Sequence, residues 1–294
     1  MYKHIAANKR NTVVIMVGFV LVISLIGCGF GYLAGGDWTV MAWVAGIAIV
    51  YALIQYFISA KLAVLMTGGK EIAKKDNPRL YNTVENLSIT AGLPMPKVYL
   101  IDDPAPNAFA AGRDPKHAVV AATTGLLDIM DNDELTAVMA HEMSHIKNYD
   151  IRVSMIVFGL VCMIGFISDL GIRMLYFGGK RSNDNNSSPV GLVIMLVTAI
   201  LAPIAAMLAQ MAISRQREYL ADSSAAMLTK YPEGMISALK KLGTHSRPMH
   251  RQNAATEAMF INNPMKKGVL SNIFSTHPSI EKRVERLERG KKSF

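Results

Sequence analysis

The sequence predicts a mainly α membrane protein. Four apolar helices carry a cytoplasmic domain that contains a small β-sheet. Three observations predict this class. Of the 294 residues, 51% are hydrophobic and 18% charged, against roughly 25% charged in an average soluble domain. The apolar residues are gathered into four runs rather than spread along the chain. Between the second and third runs lie short β-type segments separated by turn residues. The same composition excludes a disordered chain, which combines few apolar residues with much charge. The formal net charge of +9 fits nucleic acid and an anionic membrane equally until it is located. Cys28 and Cys162 both lie in apolar runs, so a disulfide framework is not expected.

The first segment, residues 1–60, reads as a transmembrane hairpin. No charge occurs from 11 to 36 or from 38 to 60, and about 20 apolar residues cross a bilayer as a helix. Lipid offers no partner to backbone polar groups, and strand-type alternation is absent, so both runs are helices. Gly35, Gly36 and Asp37 form the tight link. Lys3, Lys9 and Arg10 resemble the charged start of a signal peptide, but the first run is too long and a second span follows at once.

Residues 61–152 read as a cytoplasmic α/β segment. Asn77 and Pro78 begin a helix with Leu80, Val84, Leu87 and Ala91 on one face, and Gly92 ends it. Strands are expected at 97–101, 108–111 and 118–123. Asp131 followed by Glu134 starts another helix with a capping-box pattern.

Residues 153–213 read as a second apolar hairpin. Its first arm is uncharged over 153–168 and then carries Asp169 and Arg173, four apart on one helix face. Extended to Phe177, this third run either spans the bilayer or lies against it. The loop 178–189 is rich in Ser, Asn and Gly, and the run 190–213 contains Pro203 as a kink. Residues 214–294 read as a cytoplasmic helical segment, irregular near 243–257.

Lys and Arg near the span ends place both termini and residues 61–150 in the cytoplasm. The charge then has an address. Residues 61–150 carry nine Lys/Arg and twelve Asp/Glu, whereas 213–294 carry fifteen and seven. The last helix, 278–290, puts Ile280, Val284 and Leu287 on one face and Arg283, Arg286 and Arg289 on others. That pattern reads as a solvated basic surface near the membrane. No aromatic interleaving or nucleic-acid module accompanies it, so nucleic acid is not an expected partner.

The chemistry is concentrated at His141-Glu142-Met143-Ser144-His145. Two histidines at i and i+4 on a helix share a face and can reach one Zn²⁺. Glu142 is about 100° round the helix. It can reach a water beside the metal rather than the metal itself, as a general base does. A catalytic zinc site usually has a third protein ligand. If the third and fourth runs form a hairpin, residues just after 213 return to the level of 141–145. Glu218 and Asp222 stand there, one turn apart, within Arg215-Gln216-Arg217-Glu218-Tyr219-Leu220-Ala221-Asp222. Glu218 is the candidate third ligand, and Asp222 can accept the free N–H of a ligating histidine. Read alone, the two acids are equally partners for Arg215 and Arg217.

H-E-M-S-H followed by R-Q-R-E-Y-L-A-D resembles the membrane zinc metalloproteases of the HtpX type, bacterial heat-shock proteases related to the CAAX prenyl endopeptidases. The similarity covers nearly the whole chain. It implies a zincin-like cytoplasmic metalloprotease domain with one zinc per chain. His141, His145 and Glu218 would be its ligands, Glu142 the catalytic base, and Asp222 the family's aspartate one turn further on. Two further segments are similar to that family. In Pro106-Asn107-Ala108-Phe109-Ala110, the resemblance puts Asn107 beside the active site and a strand edge where extended substrate pairs. In Ser275-Thr276-His277-Pro278, it puts His277 near the scissile carbonyl; Ser279 replaces the usual second proline.

The resemblance further implies the bacterial cytoplasmic membrane as the location. It implies misfolded or damaged membrane proteins, or unfolded polypeptides, as substrates, and quality control under stress as the role; it names no membrane protease or chaperone partner. A prenyl-protein processing protease and a non-enzymatic zinc-binding scaffold or chaperone are the alternatives. The scaffold calls for a closed four-ligand site.

Overall fold

The computed structural model describes residues 2–33, 38–178, 215–257, 259–262 and 278–291. Helix α1 spans Tyr2–Leu33 and α2 spans Trp38–Thr67. They pack on each other and on a third long helix, α6, Asp150–Gly178. Val13, Val17, Leu21, Ile47, Leu53 and Phe57 are exposed along α1 and α2, an apolar outer surface of the kind that faces lipid. Among the described residues, one straight stretch is long and apolar enough to cross a bilayer, Ile49–Thr67, with a mean hydropathy of 1.8. The fourth run, 190–213, and most of the loop before it lie outside the described residues.

Helix α2 continues past the uncharged run because its last turns are buried from the opposite side. Ala63 and Val64 join a core with Ile101, Phe109, Ala111, Ala121 and Phe158. Gly68, at φ +77°, ends the helix. The apolar arm 153–177 is part of the single continuous helix α6, and Asp169 pairs with Arg173 at 2.7 Å on its exposed face.

The sheet has four strands in the order β1-β2-β4-β3. β1 is the two-residue Lys70–Glu71, β2 is Lys97–Ile101, β3 is Ala108–Gly112 and β4 is Ala118–Thr123. β2 and β4 run parallel, and β1 and β3 pair antiparallel at the two edges. β1 is too short to leave an alternating pattern in the sequence. Every residue of β3 and β4 is buried, which explains their Ala/Val-rich, non-alternating composition. One face packs on α2 and α6, the other on the helices that carry the chemistry.

Helix α3, Pro78–Ala91, starts with Asn77 accepting from the Leu80 N–H and stops at Gly92 in the left-handed region, φ +67°. A short helix α4, Thr124–Ile129, follows β4 directly. Its turn depends on Gly125, where an added Cβ would lie 2.1 Å from the Pro104 carbonyl oxygen. Backbone cannot yield as a flexible side chain does. Gly125→Ala is therefore expected to destabilise the chain by about 3 kcal/mol, at the upper end for an overpacked site, read as a lowered thermal midpoint in detergent.

Helix α5, Asn132–Lys147, is the centre of the structure. Asp131 and Glu134 form a reciprocal capping box at its start. Glu134 is buried and also accepts from Ser237 Oγ and Lys241 Nζ, each at 2.6 Å. Those two residues belong to α8, Pro232–Thr244. α5 also packs on α3, on β3 and on α7, Arg215–Thr229. The chain leaves α5 through a sharp elbow, the axes of α5 and α6 differing by 81°. Tyr149 sits there at φ +61°, which costs an L-residue about 1–2 kcal/mol. After α8 come an irregular stretch, the one-turn α9, Ala254–Glu257, and finally α10, Ile280–Gly290.

The last helix corrects one expectation. Arg283 does not face solvent. It is 1% exposed, among the largest fully buried side chains described. The pattern held a signal for this: Arg283 lies three residues after Ile280 and four before Leu287, inside the buried stripe.

Candidate metal centre

The centre forms where α5, α7, α10 and the edge strand β3 meet. His141 and Glu142 are buried in the middle of α5 because that helix is covered on nearly every side. His145, one turn on, is part-buried. Glu218 lies in the first turn of α7 and Asp222 one turn later, both buried. His141, His145 and Glu218 each offer one ligand atom, and all three atoms lie within 4.8 Å of one another. The two Nε2 atoms are 3.1 Å apart. The Glu218 carboxylate oxygens approach them at 3.7 Å (His141) and 3.5 Å (His145). Ligands about 2.0–2.1 Å from a tetrahedral zinc lie about 3.3 Å from one another, so the donor set fits such an ion.

Each histidine is held so that Nε2 faces that point. His141 Nδ1 donates to Asp222 Oδ1 at 3.0 Å, and His145 Nδ1 donates to Asp150 Oδ2 at 3.0 Å. A histidine that donates from Nδ1 keeps the Nε2 lone pair for a metal. Burial pushes the His141 pKa down, against the opposing pull of Asp222. Burial also works against charge on His145, but the hydrogen bond to Asp150 and the Glu218 and Glu142 carboxylates outweigh it and raise the imidazole to about 9. A metal entering the site must displace that proton.

Arg283 completes the centre. Its Nε and Nη2 donate to Asp222 Oδ2 and Oδ1 at 2.9 and 2.7 Å, a bidentate pair. Nη1 lies 3.8 Å from Glu218 Oε2. Asp222 is held below the ordinary carboxylate range: burial opposes its charge, and Arg283 more than compensates. Arg283 and Asp150 were both missed by spacing alone. Asp150 follows His145 by five residues, which matches no single helix face; the elbow at 148–149 folds it back.

Glu142 is buried, and burial raises its carboxyl to about 7, with the charges of His145 and Arg283 and a hydrogen bond from the Ala110 N–H opposing. A base tuned near neutrality is suited to proton transfer. The contact with Ala110 ties Glu142 to the edge of β3 that faces away from β4. Two residues earlier on that edge, the Ala108 carbonyl accepts from the Ile261 N–H at 3.1 Å. Asn107 pairs with the next residue's backbone: its Nδ2 donates to the Asn262 carbonyl at 2.8 Å, and its Oδ1 accepts the Asn262 N–H at 3.1 Å. Asn107 is thus buried at the edge of β3, its amide engaged with main chain of residues 259–262. His277 lies outside the described residues.

Comparison with known proteins agrees with this geometry. A "Protease HtpX homolog" of Tropheryma whipplei (strain Twist) is 54% identical over 296 residues, covering 100% of both chains. Another of that name, from Ligilactobacillus salivarius, is 44% identical, covering 98% of this chain and 99% of its own. The crystal structure of S. mikatae Ste24p shares the fold, with a TM-score of 0.53 at 19% identity over 98% of this chain and 67% of that one. Residues 74–291, from just after β1 through the last helix, match the family model "Peptidase family M48". That span contains every member of the His141–His145–Glu218 cluster, and the chain belongs to this family of metallopeptidases.

Proposed function

We propose that this metallopeptidase is a zinc-dependent endopeptidase of the bacterial cytoplasmic membrane that hydrolyses misfolded or damaged membrane proteins. In this reading it crosses the bilayer through apolar segments within 1–60 and 153–213. Residues 61–152 and 214–294, both termini and the catalytic centre then face the cytoplasm. The observation that carries the reading is the convergence of His141, His145 and Glu218 at tetrahedral spacing beside a buried Glu142. These three donors would hold the ion, and three protein ligands are the number a catalytic zinc site takes. When bound, zinc polarises the scissile carbonyl and makes water acidic enough to attack at neutral pH.

The chain's own residues supply the rest. Glu142 takes a proton from the attacking water and delivers it to the leaving amine. Asp222 and Asp150 keep the two imidazoles in the tautomer that binds metal. The edge of β3 offers the Ala108 carbonyl and the Asn107 amide to an extended polypeptide. Main-chain pairing of this kind tolerates varied sequences, as a quality-control substrate requires. Residues 261 and 262 use those groups in this conformation. His277 is assigned, through the family resemblance, to stabilising charge on the carbonyl oxygen.

The test is cleavage by the purified full-length chain in detergent. An unmodified, unfolded membrane protein is expected to be cut and a prenylated CAAX peptide is not. Cleavage of the prenylated peptide alone indicates a prenyl-protein processing enzyme. A zinc-loaded chain that cuts neither indicates a scaffold.

A further inference from the structure

We propose that Asn8, on the first helix, is a positioning residue of the metal centre: its side-chain amide holds Asp150, which in turn fixes the imidazole of His145. The inference rests on the zinc reading above. Asn8 lies two turns into α1, is only 6% exposed, and is 140 and 142 residues from its two partners in sequence. It is a polar residue buried against α6, so its amide must find partners there.

The partners it finds are specific. Asn8 Nδ2 donates to the Asn148 carbonyl at 2.8 Å and to Asp150 Oδ1 at 2.7 Å. An amide nitrogen has two hydrogens, and here each one serves a different side of the α5–α6 elbow. Between the two acceptors is Tyr149, in the left-handed region. Its ring lies under Lys9 Nζ of α1 at 4.6 Å and near the Arg152 guanidinium at 5.0 Å. Two consecutive residues of α1 therefore grip the elbow.

The grip reaches the metal ligands through one carboxylate. Asp150 uses Oδ1 for Asn8 and Oδ2 for His145 Nδ1. With both oxygens taken from opposite sides, the carboxylate has one orientation. That orientation points His145 Nε2 at His141 Nε2 and Glu218. Arg217 Nη1 stands further off, 3.8 Å from Oδ1. Loss of Asn8 leaves Asp150 Oδ1 and the Asn148 carbonyl short of a donor. The carboxylate can then turn toward Arg217 and release the ring. Helix α1 thereby belongs to the centre as well as to the membrane hairpin.

The experiment measures zinc affinity of the full-length chain in detergent by competition with a chromophoric chelator. Asn8→Leu keeps the shape and removes the donors. It is expected to raise the zinc dissociation constant about 10-fold, at the lower end of what partners behind a ligand contribute. Thr12→Val is the control. Thr12 is buried one turn further along α1 and donates to the Asn8 carbonyl in its own helix, so the affinity of this variant is expected to match wild type. In an Asp150→Asn background, Asn8→Leu is expected to add nothing, because both changes act on the same link. Asn8→Ser, too short to reach Asp150, makes the same comparison if the leucine variant does not fold. Wild-type affinity in both Asn8 variants, or an equal loss in Thr12→Val, overturns the inference. A wild-type chain that binds no zinc overturns the reading beneath it, a separate and recognisable outcome.

Discussion

Glu142→Gln is expected to lower the turnover of an unfolded membrane-protein substrate by about 10²–10⁴-fold, the range for removing a general base. Zinc content should stay at the wild-type level. Glutamine has nearly the same shape and keeps an oxygen to accept from the Ala110 N–H, so the edge of β3 is not disturbed. It cannot take a proton from water. The carboxylate it replaces is buried, and burial raises its pKa to about 7, so losing the charge does not weaken the fold. The thermal midpoint should be unchanged or slightly higher. The measurement is kcat and zinc stoichiometry on the same purified preparation. Turnover within tenfold of wild type would remove Glu142 from its role as base.

Arg283→Ala is expected to be the most destabilising single substitution in the centre. The guanidinium is buried and bidentate on Asp222. Its removal leaves a buried carboxylate without its cation, a change that costs about 3–5 kcal/mol. For a chain of this size that is a fall of on the order of 10 °C in thermal midpoint. Lysine should rescue little, since a point charge cannot make the two parallel hydrogen bonds. The loss should also reach the metal. Asp222 holds His141 in register, so the surviving folded fraction is expected to bind zinc more weakly. The checks are thermal unfolding and zinc affinity of Arg283→Ala and Arg283→Lys. A midpoint within 2 °C of wild type, by the same scale, would mean that the buried pair contributes little.

What could be read from the sequence follows from how local each signal is. The capping box at Asp131 and Glu134, the Asn77-Pro78 start and the Gly92 stop are all set within four residues. So is the pairing of His141 with His145. Strands β2 and β4 declared themselves as short Val-, Ile- and Ala-rich runs between turns. The approach of Glu218 to the histidines was an argument about a hairpin, and the geometry brings those residues together across α5 and α7. What stayed hidden is contact across long sequence distance. Nothing near Asp150 announces that it folds back on His145, because the elbow that turns it is a left-handed Tyr149 rather than a glycine. Nothing near Asn8 points to residue 150. Arg283 is a charged residue inside the Ile280–Leu287 stripe, buried because Asp222 offers it a bidentate partner 61 residues away in sequence.

Metal content tests the central claim most directly. That claim is that His141, His145 and Glu218 together hold one zinc at the heart of this peptidase. Purified full-length protein is to be analysed by elemental mass spectrometry beside His141→Ala, His145→Ala and Glu218→Ala, with folding checked by thermal unfolding. The expected result is one zinc per wild-type chain and near none in each folded variant. A Glu218→Ala chain that keeps its full zinc, or a folded, active wild-type chain without any, would contradict it.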